Sequence, residues 1–140
     1  MINEQIQKQD LKLGDKGEKE TLAIIEKFLN IKLTRSEDKY ATFDYYNDKT
    51  FIELKTRRIK HNTYKSLMFG YNKFKKGLEH LKNNKDVYFF FNCLDGIYYW
   101  KLTDESKNNI TIGTGGRWDR GKKEIQQLVF VGTHNLVCCN

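Results

Sequence analysis

Asp44, Glu53 and Lys55 are the residues whose types and spacing could carry chemistry in this chain. Successive side chains of a β-strand point to opposite faces, so Glu53 and Lys55 would share one face of a strand. A hairpin closed by Asn47-Asp48, with a loop of two or four residues, would place Asp44 on that same face. The pattern therefore predicts two carboxylates and an ammonium group side by side.

Two neighbouring carboxylates of this kind form a site for a divalent cation. Cross-strand neighbours on one face approach to roughly 4.5–5.5 Å between Cβ atoms, and Mg²⁺ prefers oxygen ligands that include one or two carboxylates. Without a cation the like charges would repel, and the pKa of at least one carboxylate would rise. We expect Asp44 and Glu53 to bind Mg²⁺, for which Mn²⁺ can substitute, and Lys55 to orient a water or stabilise a transition state.

The spacing of hydrophobic residues predicts the elements that position this group. Asp15 to Asn30 carries apolar residues at helical intervals, with Asp15 as the N-cap. Tyr40 to Tyr46 and Thr50 to Thr56 are typical of a β-hairpin. A second helix is predicted from about Tyr64 to Leu81, ended by Asn83-Asn84.

The second half of the chain is dominated by predicted strands. Val87 to Phe91 and Ile97 to Trp100 flank Asp95-Gly96, which predicts a hairpin in the buried middle of the sheet. Thr103 to Glu124 is polar and contains glycines, so we expect a long surface loop with one short strand. Gln127 to Thr133 predicts a last strand. The element order is α-β-β-β-α-β-β with a late strand.

Length and composition indicate one folded domain. A chain of 140 residues, of which 39% are hydrophobic, can bury a core, so a single domain over residues 1–140 is predicted. The first residues lack the pattern of a secretion signal, and no apolar run approaches the roughly 20 residues that span a bilayer. We expect a soluble cytoplasmic or intracellular protein that is not secreted and has no membrane partner. Cys93, Cys138 and Cys139 have no metal-binding spacing and are expected to be reduced.

The sequence Asp44, eight residues, then Glu53-Leu54-Lys55 resembles the motif of the PD-(D/E)XK nuclease superfamily. The resemblance covers roughly Gly14 to Trp100 and extends to the predicted element order. It implies a restriction-endonuclease-like α/β fold, with an αβββαβ core whose central mixed β-sheet is flanked by helices, here with extra C-terminal strands. It also implies that Asp44 and Glu53 bind metal, that the Leu54 carbonyl assists, and that Lys55 is the catalytic lysine.

The superfamily pattern draws attention to two further positions. Phe43 stands where the proline that names the motif would be. Members often carry a glutamate on the first helix, and on a helical wheel Glu18 falls on the apolar stripe whereas Glu20 points away. Glu18 is therefore a candidate catalytic residue. Alternatively, Asp15 and Glu18 form a capping box in which Glu18 only satisfies a backbone amide.

Positive charge is concentrated directly after the motif. The net charge is +7, and no acidic residue lies between Glu53 and Glu79. Basic and aromatic groups in this window could contact phosphates, which favours nucleic-acid binding. The candidates are Arg57, Arg58, Lys60, His61, Tyr64, Lys73 and Lys76, with Arg117 from the predicted loop. The alternative for each lysine is a solvated basic face.

Together these patterns predict a Mg²⁺-dependent DNA endonuclease, either structure-specific and resolvase-like or restriction-like or homing-like. DNA is the expected partner, with RNA left open, and no small-molecule cofactor is expected. A homodimer sharing one duplex is a reasonable expectation, because the chain has no separate recognition domain. The alternative is a non-catalytic nucleic-acid-binding module on a nuclease fold, and the intact set of Asp44, Glu53 and Lys55 argues against it.

Overall fold

The computed structural model describes residues 17–37, 43–117 and 124–139. The chain divides into two compact units, Met1–Lys32 and Leu33–Asn140. In the described part of the first unit, helix α1 covers residues 17–29, and Asn30 follows it with a φ of 55° that ends the helical run. The predicted first helix is thus confirmed where it is described, and its cap Asp15 lies outside the described residues.

The second unit is built on two β-sheets. Its strands are β1 (Thr34–Arg35), β2 (Tyr45–Tyr46), β3 (Thr50–Thr56), β4 (Ser66–Gly70), β5 (Asp86–Cys93), β6 (Gly96–Leu102), β7 (Ile110–Arg117), β8 (Glu124–Gly132) and β9 (Val137–Cys138). Among the described residues, the first sheet has the order β1-β2-β3-β5-β6-β9 and the second β4-β8-β7. Of the pairings between the strands that the structure describes, only that of β3 with β5 is parallel. The first sheet is therefore the predicted central mixed sheet.

Helix α2 (Tyr71–Lys82) packs against strands of both sheets. At Gly77 the helix approaches the first sheet so closely that an added Cβ would lie 2.9 Å from Leu102 Cδ2 and 3.3 Å from Val87 Cγ1. Phe69 on β4 stacks on Phe89 on β5, with ring centroids 4.0 Å apart, and joins the two sheets. One core is thus shared by α2 and both sheets.

The middle of the first sheet follows the sequence prediction. β5 is buried along most of its length, as expected of a strand that pairs with β3 on one side and β6 on the other. The β5–β6 turn uses Gly96 at a φ of 144°, a conformation that favours glycine. Asn83 caps α2 and Asn84 has a φ of 62°, so the predicted end of the second helix is also confirmed. These features are local in sequence.

The predicted start of the second helix is wrong. Residues 66–70 form strand β4, and the helix begins only at Tyr71. Leu67 and Phe69 are buried while Met68 between them is 44% exposed, which is the alternation of a strand. β4 forms because it pairs with β8, more than 55 positions later in the chain. It supplies the third strand that the predicted order requires before the second helix.

The predicted long loop between Thr103 and Glu124 is wrong at residues 110–117, where the one short strand expected there is an eight-residue strand. A 3₁₀ turn at Ser106–Asn108 leads into the eight-residue strand β7, which pairs along its whole length with β8. The last strand, predicted from Gln127, already begins at Glu124. Glycines conceal this strand in the sequence because they carry no side chains that could alternate between faces.

The described architecture is the predicted α/β one, with α1, β2, β3, β4, α2 and β5 in αβββαβ order and additional C-terminal strands. The short strands β1 and β9 were not predicted, and a second 3₁₀ turn at Thr133–Asn135 precedes β9. Neither described helix has the length and apolar character needed to cross a membrane. A single domain over the whole chain stays a prediction.

Candidate active site

Glu53 lies near the middle of β3, with β2 and β5 as neighbouring strands. It is only 2% exposed, whereas most buried residues of this unit are apolar. Because β3 is an inner strand, its backbone is hydrogen-bonded on both sides and holds the carboxylate in place. A rigid inner strand thus carries the central acidic group.

The β2–β3 hairpin brings Asp44 to Glu53. Tyr45 pairs with Ile52 and Tyr46 with Phe51, leaving an even number of residues in the loop, as the prediction required. The side chain of Asn47 sets this loop, since its Oδ1 accepts from two backbone amides at 2.8 Å. One step beyond the Tyr45 pair, Asp44 Oδ2 accepts a hydrogen bond from the backbone N–H of Leu54 at 2.8 Å.

Phe43, in the place of the motif's proline, anchors this corner. Its side chain is 4% exposed and lies among the rings of Phe51, His80 and Phe89, at centroid distances of 5.6–6.0 Å. A large apolar residue here fixes the chain by burial, while proline would do so by restricting φ. The backbone next to Asp44 is therefore held in place by a buried side chain.

Two lysines from different elements approach the Glu53 carboxylate. Lys55, on the same face of β3, has its Nζ 3.6 Å from Oε1. Lys73, in the first turn of α2, has its Nζ 2.9 Å from Oε2. This contact is a close ion pair with the buried Oε2, although its angles fall outside those of a regular hydrogen bond.

The charge state of Glu53 reflects these surroundings. Burial raises its pKa from the ordinary 4.5 to about 7, and a hydrogen bond to the Asp44 carboxyl and the charge of Asp44 act in the same direction. Lys55 and Lys73 oppose the shift. When no metal ion is bound, the Glu53 carboxyl therefore holds its proton more tightly in this site than a carboxyl in water does.

The donor set is compatible with Mg²⁺ and the waters that such an ion keeps. No group of three or more His, Cys, Asp or Glu side chains that could hold a metal occurs among the described residues. Asp44 and Glu53 nevertheless offer two carboxylates, and Mg²⁺ usually takes one or two from the protein. The N–H of Leu54 points to Asp44, and because N–H and C=O of a strand residue point to the same side, its carbonyl faces there too.

Two of the predicted phosphate-contacting residues are bound within the protein. Arg57 donates from its guanidinium to the Met68 carbonyl at 3.0 Å and from its backbone to the Asn92 carbonyl at 2.9 Å. His61 contacts Asp95 twice, through its backbone at 2.9 Å and its Nδ1 at 2.5 Å. These bonds tie the segment after β3 to neighbouring elements.

The other predicted contacts are spread over the surface. Arg58, Lys60 and Tyr64 are exposed in the β3–β4 connection, Tyr64 at 66%. Lys76 forms an exposed ion pair with Glu79 at 3.0 Å on α2. The backbone of Arg117 pairs with Glu124 at the end of β7, away from the β4 pairing. Glu18 lies on α1 in the first unit, and its catalytic role stays a prediction.

Sequence reasoning placed Lys73 among the phosphate contacts and did not connect it with Glu53. With the helix predicted to start near Tyr64, Lys73 stood in its middle and could not be aimed at the hairpin. The start at Tyr71 puts it in the first turn, beside the carboxylate. The available signal was Gly70, which directly follows the apolar run Leu67-Met68-Phe69 and is unfavourable inside a helix.

Comparison with known proteins places this arrangement in a family. Residues 14–136 match the family described as "Phage putative PDDEXK endonuclease". No curated protein and no solved structure matches the chain. Since the match covers most of the sequence, the chain belongs to this PD-(D/E)XK family of nucleases, and its fold is the restriction-endonuclease-like one.

Proposed function

We propose that this chain, as a member of that family, is a Mg²⁺-dependent endonuclease that hydrolyses phosphodiester bonds in DNA. Asp44 and Glu53 would hold the ion, the Leu54 carbonyl would assist, and Mn²⁺ would substitute for Mg²⁺. When bound, the ion would polarise a phosphoryl oxygen and lower the pKa of a coordinated water. Cleavage would be structure-specific, as by a resolvase, or restriction-like or homing-like.

The buried carboxylate of Glu53 is the observation that carries this proposal. A buried carboxylate beside a second one is unfavourable unless positive charge and hydrogen bonds compensate it. In a purely structural ion pair we would expect the buried oxygens to be hydrogen-bonded. Glu53 Oε2 instead has the Lys73 ammonium 2.9 Å away, in a contact outside regular hydrogen-bond angles, so this ion pair leaves the buried carboxylate incompletely satisfied. A cation-binding role explains why this carboxylate is buried here.

Lys55 is placed to act on the reacting groups. Its Nζ lies 3.6 Å from Glu53 Oε1, and its side chain remains one-third exposed, so it can reach a molecule bound at the surface. An ammonium group in this position would hold the attacking water and stabilise negative charge that develops on phosphoryl oxygens. We therefore assign Lys55 as the catalytic lysine.

Lys73 is proposed as a positioning residue for Glu53. Its ammonium lies 2.9 Å from Oε2 and opposes the rise of the Glu53 pKa. It would keep the carboxylate ionised and oriented toward Asp44. The exposed Arg58, Lys60 and Tyr64 are the remaining candidates for contacts to the DNA backbone.

A nicking assay on supercoiled plasmid, branched DNA and single strands tests the proposal. Each substrate is incubated with Mg²⁺, with Mn²⁺ or with a chelator. We expect cleavage only with the metals, and its loss in Asp44→Asn. Asp48→Asn is the matched control, because Asp48 lies exposed in the turn of the same hairpin and should leave cleavage intact.

Two outcomes would contradict the assignment. Metal-dependent nicking that survives in Asp44→Asn would remove Asp44 from the site. Binding without cleavage on every substrate and with both metals would favour the alternative, a nucleic-acid-binding module on a nuclease fold. Light scattering of the protein with and without a short duplex would test the predicted homodimer.

A further inference from the structure

Strands β7 and β8 continue as a two-stranded ribbon beyond the second sheet. The pairing of β4 with β8 ends at Gly70–Leu128, whereas β7 and β8 pair for four more positions, up to Arg117–Glu124. At the usual rise per strand residue, these pairs extend about 13 Å past the edge of β4. We call residues 114–117 and 124–127 the ribbon.

The described side chains of the ribbon are polar, uncharged and exposed. They are Thr114, Gln126 and Gln127. Thr114 and Gln127 are directly paired and share one face, while Gln126 lies on the other, opposite Gly115. Thus both faces of the ribbon present amide or hydroxyl groups to the outside.

Glycines on β7 keep the base of this ribbon thin. A Cβ at Gly113 would meet Phe130 Cε2 at 2.9 Å, and one at Gly115 would collide with Leu128 Cδ1. The side chains of β8 therefore lie across β7 where β7 has none. A ribbon that lacks side chains at Gly113 and Gly115 of β7 is narrower there than a ribbon with side chains on both strands.

The ribbon leaves the sheet next to the catalytic residues. β4 ends at Gly70, where the ribbon begins on β8, and α2 starts at the following residue. The first turn of α2 carries Lys73, which contacts Glu53. DNA held at the carboxylates would therefore pass close to the ribbon.

The chemistry of the ribbon fits the edges of base pairs. The major groove of B-DNA is about 12 Å wide and about 8.5 Å deep and admits a two-stranded β-ribbon. Glutamine can bind adenine through two hydrogen bonds, and threonine can bind several bases.

We propose that the ribbon enters the major groove of duplex DNA and contacts base edges through Thr114, Gln126 and Gln127. This inference rests on the proposed function, because it assigns the duplex groove as the substrate feature recognised beside the cleavage site. Such contacts would make the enzyme selective for the base sequence or the groove geometry of a duplex. They would add to its contacts with the DNA backbone.

Binding in a chelator tests the ribbon separately from cleavage. Fluorescence anisotropy would measure the affinity for a mixed-sequence duplex and for a single strand of equal length. A duplex of about thirty base pairs offers about three helical turns. The variants are Gln126→Ala/Gln127→Ala and Thr114→Ala. Thr111→Ala is the matched control, because Thr111 is an exposed threonine of β7 that pairs at the level of β4.

We expect the double variant to bind the duplex roughly 5- to 150-fold more weakly, the range for one lost base contact, with a smaller loss for Thr114→Ala. The control should bind like wild type, and no variant should lose affinity for the single strand. A ligand that occupies the major groove should compete with the protein, and one that occupies the minor groove should not. In Mg²⁺, sequenced cleavage products should show a changed site preference for the ribbon variants.

Equal duplex binding and equal cleavage sites in the variants and the control would overturn the proposal. So would equal losses on duplex and single strand, which would assign the ribbon to the backbone alone. If wild type binds duplex but cleaves nothing, the proposed function fails, while a selective loss of duplex binding in the variants would still support the ribbon.

Discussion

Two groups of basic side chains lie close together in the sequence but do different things in the structure. Lys55 and Lys73 both approach the buried carboxylate of Glu53, at 3.6 and 2.9 Å. Arg57 and His61, which follow Lys55 within six positions, bind a backbone carbonyl and a carboxylate of other elements. The first group surrounds the candidate site, and the second fastens the segment that leaves it.

This difference shows that a cluster of positive charge in a sequence does not define one surface. The strand β3 ends at Thr56, so the alternation that aims Lys55 does not extend to the segment beyond it. Conversely, Lys73 lies at the site although it is far from Glu53 in the sequence, because the first turn of α2 lies beside the Glu53 carboxylate. We therefore expect substitutions in the first group to change cleavage and those in the second mainly to change stability.

Among the basic residues, the largest effect on cleavage is expected from Lys55→Gln. Removing a group that stabilises transition-state charge typically lowers kcat by about 10²- to 10³-fold. Lys101→Gln is a matched control, since Lys101 is also a strand lysine with an acidic partner at 3.6 Å, Asp86, but on β6. Single-turnover cleavage of a labelled duplex in Mg²⁺ would measure both. A loss of similar size in the two variants would remove the distinction between site lysines and other strand lysines.

A second test uses the pH dependence of stability in metal-free protein. The folded-state pKa of Glu53 is raised to about 7 from 4.5 by burial and by Asp44, so the folded state holds the proton more tightly than the unfolded chain. Its contribution to stability is present below about pH 4.5 and is lost as the pH rises through about 7. At 1.36 kcal/mol per unit, the loss is on the order of 3 kcal/mol.

Denaturant unfolding in a chelator at several pH values would measure this loss. Glu53→Gln should flatten the dependence of the unfolding free energy on pH between roughly pH 5 and 8, because the amide does not ionise. Mg²⁺ should stabilise wild type more at the alkaline end, where the carboxylate is free to bind it. A wild-type profile that coincides with that of Glu53→Gln would show that the carboxylate is not buried as described.

Lys73→Gln should have a smaller effect on cleavage than Lys55→Gln. A charge-assisted contact is worth about 1.5–3 kcal/mol, which corresponds to roughly 10- to 100-fold in rate if it acts fully on the reaction. Lys75→Gln is the control on the same helix, where Lys75 is exposed and lies 5.8 Å from the ring of Tyr71. A positioning role further requires weaker Mg²⁺ binding to Lys73→Gln by calorimetry or a changed metal dependence of cleavage. Identical rates for both variants would place Lys73 outside the site.

The parts of the site that could be predicted are those set by local geometry. The shared face of Glu53 and Lys55 follows from the two-residue period of a strand. The position of Asp44 depends on the even loop of the hairpin, and Asn47 forms this loop within four residues. Both interactions act over short stretches of sequence, so spacing was sufficient to place these residues.

The parts that could not be predicted depend on pairing between distant segments. Residues 67–69 have apolar side chains compatible with either a helix or a strand, and pairing with β8 decides for the strand. That pairing in turn fixes the start of α2 and brings Lys73 to Glu53. The ribbon was mistaken for a loop because Gly113, Gly115 and Gly116 show no alternation of side chains.

The smallest effect on cleavage is expected from His61→Ala, which tests the second group directly. His61 bonds to Asp95 and stacks on Tyr98 with ring centroids 4.0 Å apart, so its loss should lower Tm by a few degrees while cleavage falls by less than about tenfold, the equivalent of 1.4 kcal/mol. Asn62→Ala, at the exposed neighbouring position, should leave Tm unchanged. Thermal unfolding and the single-turnover assay would be measured on the same preparations. If His61→Ala keeps its Tm but loses as much cleavage as Lys55→Gln, the histidine acts on DNA, and the segment after β3 belongs to the site after all.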